Sequence, residues 1–323
     1  MDTFLSCDWG TSSFRLRLVE VKSFKILAEI KNDSGILETF TAWQQNEPAT
    51  NRVLFYTSII TNHIRILSEK LRVSLKGIPV VLSGMASSTI GLIDLPYKVL
   101  PFEIDGSDLH IEMYKSDETT NPLIIVSGAR TENDVMRGEE TKIVGCAQLI
   151  GNDESEQLFV LPGTHPKHVL IKDRRIIGFK TFMTGEFFDL LSTKSILSGS
   201  IAAGEDLNSR ANQKSFMEAV QLSQTTDLLH HSFLVRTNQV LERLSKQQNY
   251  YYLSGLLIGA ELASLESKKS IYLLGGPAHR SLYTLACSTL GIEIIQSWDA
   301  DRALIQGQAT IFSRMKDSSS LLA

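Results

Sequence analysis

A chain of 323 residues with 43% hydrophobic and 21% charged residues can hold two ordinary domains with a core in each and has the balance of a globular protein. A formal net charge of −4 gives no basic field to draw it onto nucleic acid or anionic lipid, and no apolar run nears the ~20 residues that span a membrane. Cys7, Cys146 and Cys287 are odd in number and far apart, and the first residues show no basic region followed by an apolar stretch, so a cytoplasmic setting without secretion signal, disulfide or zinc site is expected.

In chain order, Phe4–Cys7 reads as a strand and Phe14–Val19, alternating at period two, as its returning partner. Between them lies Asp8-Trp9-Gly10-Thr11-Ser12-Ser13. Gly10 offers a positive φ and close backbone approach; Thr11, Ser12 and Ser13 add hydroxyls beside backbone N–H groups, a combination that cradles phosphate oxygens. Asp8 would repel bare phosphate, but Mg²⁺ between the two would reconcile the charges. A capped hairpin turn with an Asx-type bond at Asp8 explains the same residues without a ligand.

A strand is expected over 25–31, a helix over 52–72 and a strand over 78–82, which ends at Ser83-Gly84-Met85-Ala86-Ser87-Ser88. This loop is either a substrate contact or an ordinary strand end. Pro96 and Pro101 bracket an irregular stretch, and 123–126 is a buried strand. A helix is expected over 134–149, with Asp134 at its N-terminus and Glu139 and Glu140 in its early turns. The polar segment 151–156 then suggests a crossover between domains 1–150 and 151–323.

The second half repeats the opening device. Strand 157–161 leads into Pro162-Gly163-Thr164-His165-Pro166-Lys167 and strand 168–171, again strand, Gly-hydroxyl turn, strand. Helices are expected over 185–195, 212–222, 228–243 and 248–265. A strand over 270–274 ends at Gly275-Gly276, followed by a helix over 278–290, a strand over 293–296, a helix over 301–315 and a polar tail. Two phosphate-type hairpins and a late Gly-Gly between strand and helix fit a duplicated α/β architecture with a nucleotide in the cleft between its halves.

That order of parts resembles the sugar kinase, hexokinase and actin superfamily. Within it, "DWGTSSFRLRL", "NDVMRGEETKIVG", "LPGTHPKHV", "FMTGEFFDLL" and "LSGLLIGAELA" resemble the 2-dehydro-3-deoxygalactonokinase family, over nearly the whole chain. The resemblance implies two actin- or hexokinase-like (ribonuclease H-like) lobes, ATP and Mg²⁺ as cofactors, and phosphorylation of the terminal hydroxyl of a 2-keto-3-deoxy sugar acid, 2-dehydro-3-deoxy-D-galactonate to its 6-phosphate. A non-catalytic sensor of the same fold is the alternative. The sequence does not fix galactonate against gluconate stereochemistry. It does not fix the oligomeric state either; a homodimer is one expectation.

Phosphoryl transfer to a hydroxyl needs a metal, donors around the moving group and a base. Asp134 is an ordinary helix cap by its position alone; the resemblance, which places a catalytic carboxylate at the start of this helix, makes it the candidate base. Arg137, Glu139 and Glu140 compete with it, a solvated charged face being the alternative for all three, and of these Glu139 is the rival base. With the resemblance, Arg137 is expected to fork onto the sugar-acid carboxylate, together with Arg15 and the loop Ser83, Gly84 and Met85. Asp8 is the expected metal residue. Gly10, Thr11 and Ser12 in the first turn, and Gly163, Thr164, His165 and Lys167 in the second, are the expected phosphate contacts, and Gly275 and Gly276 the adenosine contacts. His230 and His231 are read as structural.

Overall fold

The computed structural model describes residues 2–45, 51–115, 120–147, 149–150, 155–204, 206–225, 227–265 and 270–317. Two compact units emerge: Met1–Ser155 with Ile171–Gly178 and Ala300–Ala323 in one, Glu156–Leu170 with Phe179–Asp299 in the other.

The first unit runs β1 (Thr3–Trp9), β2 (Phe14–Glu20), β3 (Ile26–Asn32), α1 (Ile36–Gln44), α2 (Arg52–Leu71), β4 (Val80–Gly84), β5 (Lys98–Val99), β6 (Phe102–Glu103), β7 (Ile111–Tyr114), β8 (Leu123–Val126), β9 (Ala129–Arg130), β10 (Val135–Met136) and α3 (Glu139–Cys146). Its sheet has the order β3-β2-β1-β4-β8-β7, with β1 antiparallel to β2 and parallel to β4. Every residue of β4 and β8 is buried, as central strands covered on both faces require. α2 starts on Asn51, whose side chain accepts from Val53 N and Leu54 N, and lays Tyr56, Ile60, Ile64 and Leu67 against Trp9, Phe14 and Leu16.

The expected helix over 134–149 is different in the structure. Its first residues form a hairpin in which Val135 pairs with Arg130, and Asp134 sits in the turn with its Oδ1 accepting from Val135 N at 2.8 Å. The helix begins only after Gly138, whose φ of 106° no other residue type adopts cheaply. Asp134 is therefore not a helix cap.

The second unit carries β11 (Gln157–Leu161), β12 (Lys167–Lys172), β13 (Arg175–Thr181), α4 (Thr184–Thr193), α5 (Arg210–Leu222), α6 (Leu228–Val240), α7 (Lys246–Ala263), β14 (Ser270–Gly275), α8 (Pro277–Leu290) and β15 (Glu293–Asp299), in the sheet order β15-β14-β11-β12-β13. The tip of the β12–β13 hairpin counts with the first unit, where Arg175 and Ile176 pair with Glu103 and Phe102 of β6.

The last helix, α9 (Ala300–Asp317), also counts with the first unit, so the division is not the single cut at 150/151 expected from the sequence. The reason is a close helix crossing. A Cβ on Gly145 of α3 would stand 1.8 Å from Ala303 O, and one on Gly307 of α9 would stand 1.9 Å from Thr141 O. Asp301 pairs with Arg15 and Arg17, and Gln308 Nε2 donates to Cys7 O and Ser83 Oγ, which fixes α9 on β1, β2 and β4. Residues 151–154 of the expected crossover and 318–323 of the expected tail lie outside the described residues.

Candidate active site

β1 carries Asp8 to the root of the first turn, opposite Arg15 on β2 and Ser83 on β4. The turn closes through Gly10 N donating to Ser13 O at 2.9 Å, and Thr11 and Ser12 are exposed at its tip. Gly10 does not take the positive φ expected of it, and a Cβ there would meet nothing closer than 3.6 Å. The glycine that this turn requires is Gly35, which the sequence reading missed. A Cβ on Gly35 would lie 2.2 Å from Thr11 O, because the N-terminus of α1 is pressed onto the turn, with Ile36 N donating to Gly10 O and Leu37 N to Thr11 O.

Beside Asp8, Gly84 (φ 88°) and Gly138 come together. A Cβ on Gly84 would be 2.9 Å from Trp9 O and 3.6 Å from Asp8 Oδ1, and one on Gly138 would be 3.2 Å from Gly84 Cα. Gly84 thus keeps a side chain away from the Asp8 carboxylate, and Gly138 lets α3 begin close against Gly84. Glu139, the first residue of α3, is half-buried, and its Oε2 accepts from Arg137 N at 3.0 Å. Glu140, a competitor of Asp134 in the sequence, is on no solvated face but fully buried. Gly138 N donates to its carboxylate at 2.7 Å and Thr141 Oγ1 at 3.0 Å. Burial, then the neighbouring Glu139 charge, pushes the Glu140 carboxyl up to about 7. Arg137 donates through Nη1 to Ser87 O and to Ser87 Oγ (2.6 Å), lies 4.1 Å over the Tyr97 ring, and keeps a buried Nε with no partner.

Three expected substrate residues have other occupations. Arg15 is held by Asp301 at 2.7 Å. Ser83 is fully buried and its Oγ accepts from Gln308 Nε2. Met85 packs against the core of the first unit.

The second turn repeats the bracing of the first. Gly163 has open space around it, whereas a Cβ on Gly185, in the first turn of α4, would lie 2.5 Å from Gly163 O. Glu186 N donates to Thr164 O at 3.1 Å. At this turn His165 Nε2 meets Glu186 Oε2 at 2.6 Å, with both side chains partly exposed. Lys167 is buried and its Nζ donates to His165 O at 3.0 Å, so it shapes the turn rather than standing open to a phosphate. Behind α4, the buried Glu261 of α7 gathers His168 Nε2 at 2.9 Å, Thr184 Oγ1 at 2.5 Å and Tyr283 Oη at 2.7 Å, from three separate elements. Its charge adds to burial in raising the Tyr283 phenol well above its ordinary range.

Gly275 ends β14 against Pro162, and Gly276 caps α8 with nothing within 4 Å of a Cβ placed there. Next to it is a cavity of about 620 Å³ walled by Leu207, Asn208, Pro277, Arg280, Thr284 and Leu285 among others. Among the described residues no three His, Cys, Asp or Glu side chains converge as a self-sufficient metal cage. The glycine-lined space at Asp8 instead suits an ion that takes most of its oxygens from elsewhere, as Mg²⁺ does with phosphates and water.

Comparison with known proteins supplies the family context. The family model described as 2-keto-3-deoxy-galactonokinase matches residues 8–311. A Rhizobium meliloti (strain 1021) protein named probable 2-dehydro-3-deoxygalactonokinase DgoK1 is 31% identical over 313 residues, 94% of each chain. The Escherichia coli (strain K12) 2-dehydro-3-deoxygalactonokinase is 31% identical over 221 residues, 67% of this chain and 72% of that one. A crystal structure of a Sinorhizobium meliloti protein assigned as a 2-dehydro-3-deoxygalactonokinase superposes with a TM-score of 0.81 at 28% identity, covering 96% of both chains. The chain shares the α/β fold of that structure over nearly its whole length.

Proposed function

Because this chain belongs to the 2-keto-3-deoxy-galactonokinase family, a family of phosphotransferases, we propose that it moves the γ-phosphoryl of ATP to the terminal hydroxyl of 2-dehydro-3-deoxy-D-galactonate, giving the 6-phosphate, with Mg²⁺. The observation that carries this reading is the same braced strand-turn-strand device built twice, with a carboxylate at the root of one turn and an imidazole on the other. Asp8 would hold Mg²⁺ on the side that Gly84 leaves free of a side chain. When bound, the ion neutralises charge on the β- and γ-phosphates. Thr11 and Ser12, and Gly163, Thr164 and His165, donate to phosphate oxygens, while Gly10, its N–H spent on closing the first turn, leaves room for their approach and Lys167 holds the second turn in shape. Gly275 and Gly276 line the approach of adenosine to the cavity beside α8. A cytoplasmic enzyme is in keeping with three free cysteines and with the absence, among the described residues, of any helix long and apolar enough to cross a membrane.

Glu139 is our choice of base. The criterion is a carboxylate at the start of the connecting helix, and that helix starts at Glu139, five residues after Asp134 in the chain. There the carboxylate stands at the positive end of the helix dipole. Glu140 is already committed to Gly138 N and Thr141. The acceptor is an alcohol with a pKa far above neutrality, so the base need only take its proton as the new P–O bond forms. Ser87 and Tyr97 hold the Arg137 guanidinium for the sugar-acid carboxylate.

Single-turnover transfer from ATP to a panel of 2-keto-3-deoxy acids tests both levels. Galactonate-type acid should be the best acceptor. Glu139→Gln should slow the chemical step by about 10²–10⁴-fold with ATP affinity kept, and Asp134→Asn should change it little. The reverse ranking would move the base to Asp134. Nucleotide binding without transfer to any acid would leave a sensor in place of a kinase.

A further inference from the structure

We propose that an apolar groove on the second unit is the docking face for a second copy of this chain, making the protein an isologous dimer. The groove lies between α4 and α6, has a volume of about 470 Å³, and is lined by Phe187, Leu190, Ile196, Leu229 and Phe233 over a floor that includes Leu257. Both helices are apolar on two sides. On α4, Phe188 and Leu191 pack inward on the cluster around Leu253 and Leu256, while Phe187 and Leu190, at i and i+3, are exposed. On α6, Leu228, Leu234 and Val235 pack inward, while Leu229 and Phe233, at i and i+4, are exposed. A surface helix normally presents polar residues on the side away from the core it packs on. Yet α4 contains no fully buried residue, and Leu229 and Ile196 are 88% and 68% exposed.

The size, charge and shape of the patch select the occupant. Five large side chains exposed to this degree leave on the order of 500 Å² of contiguous apolar surface, the size of the largest and often functional patch on a protein surface, and over half of the ~800 Å² per partner of a stable interface. Among the described residues no lining residue is charged, and the polar side chains there are Ser195 and Ser232. Such a lining fits a homodimer interface better than that of a transient partner, which has the polarity of ordinary surface. The charges on α4 are Glu186 and Asp189 and the chain is net negative, which disfavours an anionic membrane. The two most exposed side chains and the hollow belong to one face, so a two-fold axis can seat the protrusion of each copy in the groove of the other.

Light scattering and sedimentation velocity over a dilution series of the full chain test this. The wild type should be a dimer at micromolar concentration, and Leu229→Glu should shift its dissociation constant at least a hundredfold toward monomer without lowering the melting temperature of the monomer, because this side chain is solvent-exposed in one chain. Ile196→Lys, on a different segment of the same groove, should do the same. Neither residue belongs to the proposed active site. A wild type that stays monomeric at the highest concentration, or a dimer that survives both substitutions, overturns the proposal. So does saturable binding of the monomer to uncharged lipid vesicles in place of self-association.

Discussion

The two braced turns share a backbone plan and differ in charge. In each, a glycine of the turn stands in open surroundings while a second glycine, where the next helix begins, is crowded onto the turn's carbonyls: Gly10 and Gly35 in the first unit, Gly163 and Gly185 in the second. β1, β2, β3 and α1 correspond in order to β11, β12, β13 and α4. The first turn has Asp8 at its root and only hydroxyls at its tip, whereas the second carries His165, backed by Glu186, with Lys167 beneath. One scaffold therefore serves two chemistries: a carboxylate that suits a cation and a donor set that suits phosphate oxygens. The backbone sets where a ligand can approach; the side chains at root and tip set which charge it brings.

The largest effect should come from exchanging that charge. Asp8→Asn is expected to lower turnover by about 10²–10³-fold, the scale for removing one preorganised electrostatic partner, and to raise the Mg²⁺ concentration needed for half-maximal rate. His165→Gln, which keeps a neutral donor, should cost about tenfold or less and leave the Mg²⁺ dependence alone. Equal Mg²⁺ shifts in both variants would erase the distinction between the turns.

Next in size are the crowded glycines. Gly35→Ala and Gly185→Ala would each drive a methyl into turn backbone, at 2.2 Å and 2.5 Å. No rotamer change relieves a backbone clash, so each should lose about 3 kcal/mol of stability or more, read as a lower denaturation midpoint at unchanged m-value. A large loss in one and none in the other would break the equivalence of the two braces.

These glycines mark where the sequence ceased to be legible. Strand, Gly-hydroxyl turn and returning strand could be read at both places, because turn chemistry and period two are local signals. Gly35 looks like any loop glycine, since what it must avoid is Thr11, brought near only by folding. The start of α3 was misplaced for a similar reason: a run of helix-compatible residues conceals the positive φ at Gly138 that Gly84 accommodates. Arg15 and Ser83 have side chains suited to a ligand, but they are engaged by Asp301 and Gln308, more than 200 residues away in the chain. The first unit's claim on α9 could not be seen either, because the Gly145 and Gly307 crossing has no local signature.

The two regions also brace themselves with different buried carboxylates. Glu261 in the second unit has three side-chain donors, whereas Glu140 in the first has Gly138 N and Thr141 and lies beside the negative Glu139. The folded-state value of Glu140, raised from 4.5 to about 7, means that the native chain binds a proton which the unfolded chain has released between those values. Stability contributed by this group is therefore present below about 4.5 and is lost as pH rises to about 7. Glu140→Gln lacks that dependence, so its stability relative to wild type should climb across this window by on the order of 2–3 kcal/mol. Melting temperatures of the two proteins from acid to neutral pH measure it; a constant difference would mean that Glu140 stays ionised throughout.

The smallest change in stability is expected at the open glycines, and there it separates the fold's requirements from the ligand's. Neither Gly10 nor Gly163 has a positive φ, and a Cβ would lie 3.6 Å from its nearest neighbour at Gly10 and more than 4 Å from any at Gly163. Alanine fits both places in the unliganded chain and restricts the unfolded one, so Gly10→Ala and Gly163→Ala should leave stability unchanged or raise it by about 0.4–1 kcal/mol. If the open side of each turn is where phosphate approaches backbone, the same methyl will obstruct the nucleotide. The apparent KM for ATP should then rise while that for the sugar acid holds. A stable variant with unaltered ATP kinetics at either position would mean that phosphate does not approach that turn, and that its glycine serves neither fold nor ligand.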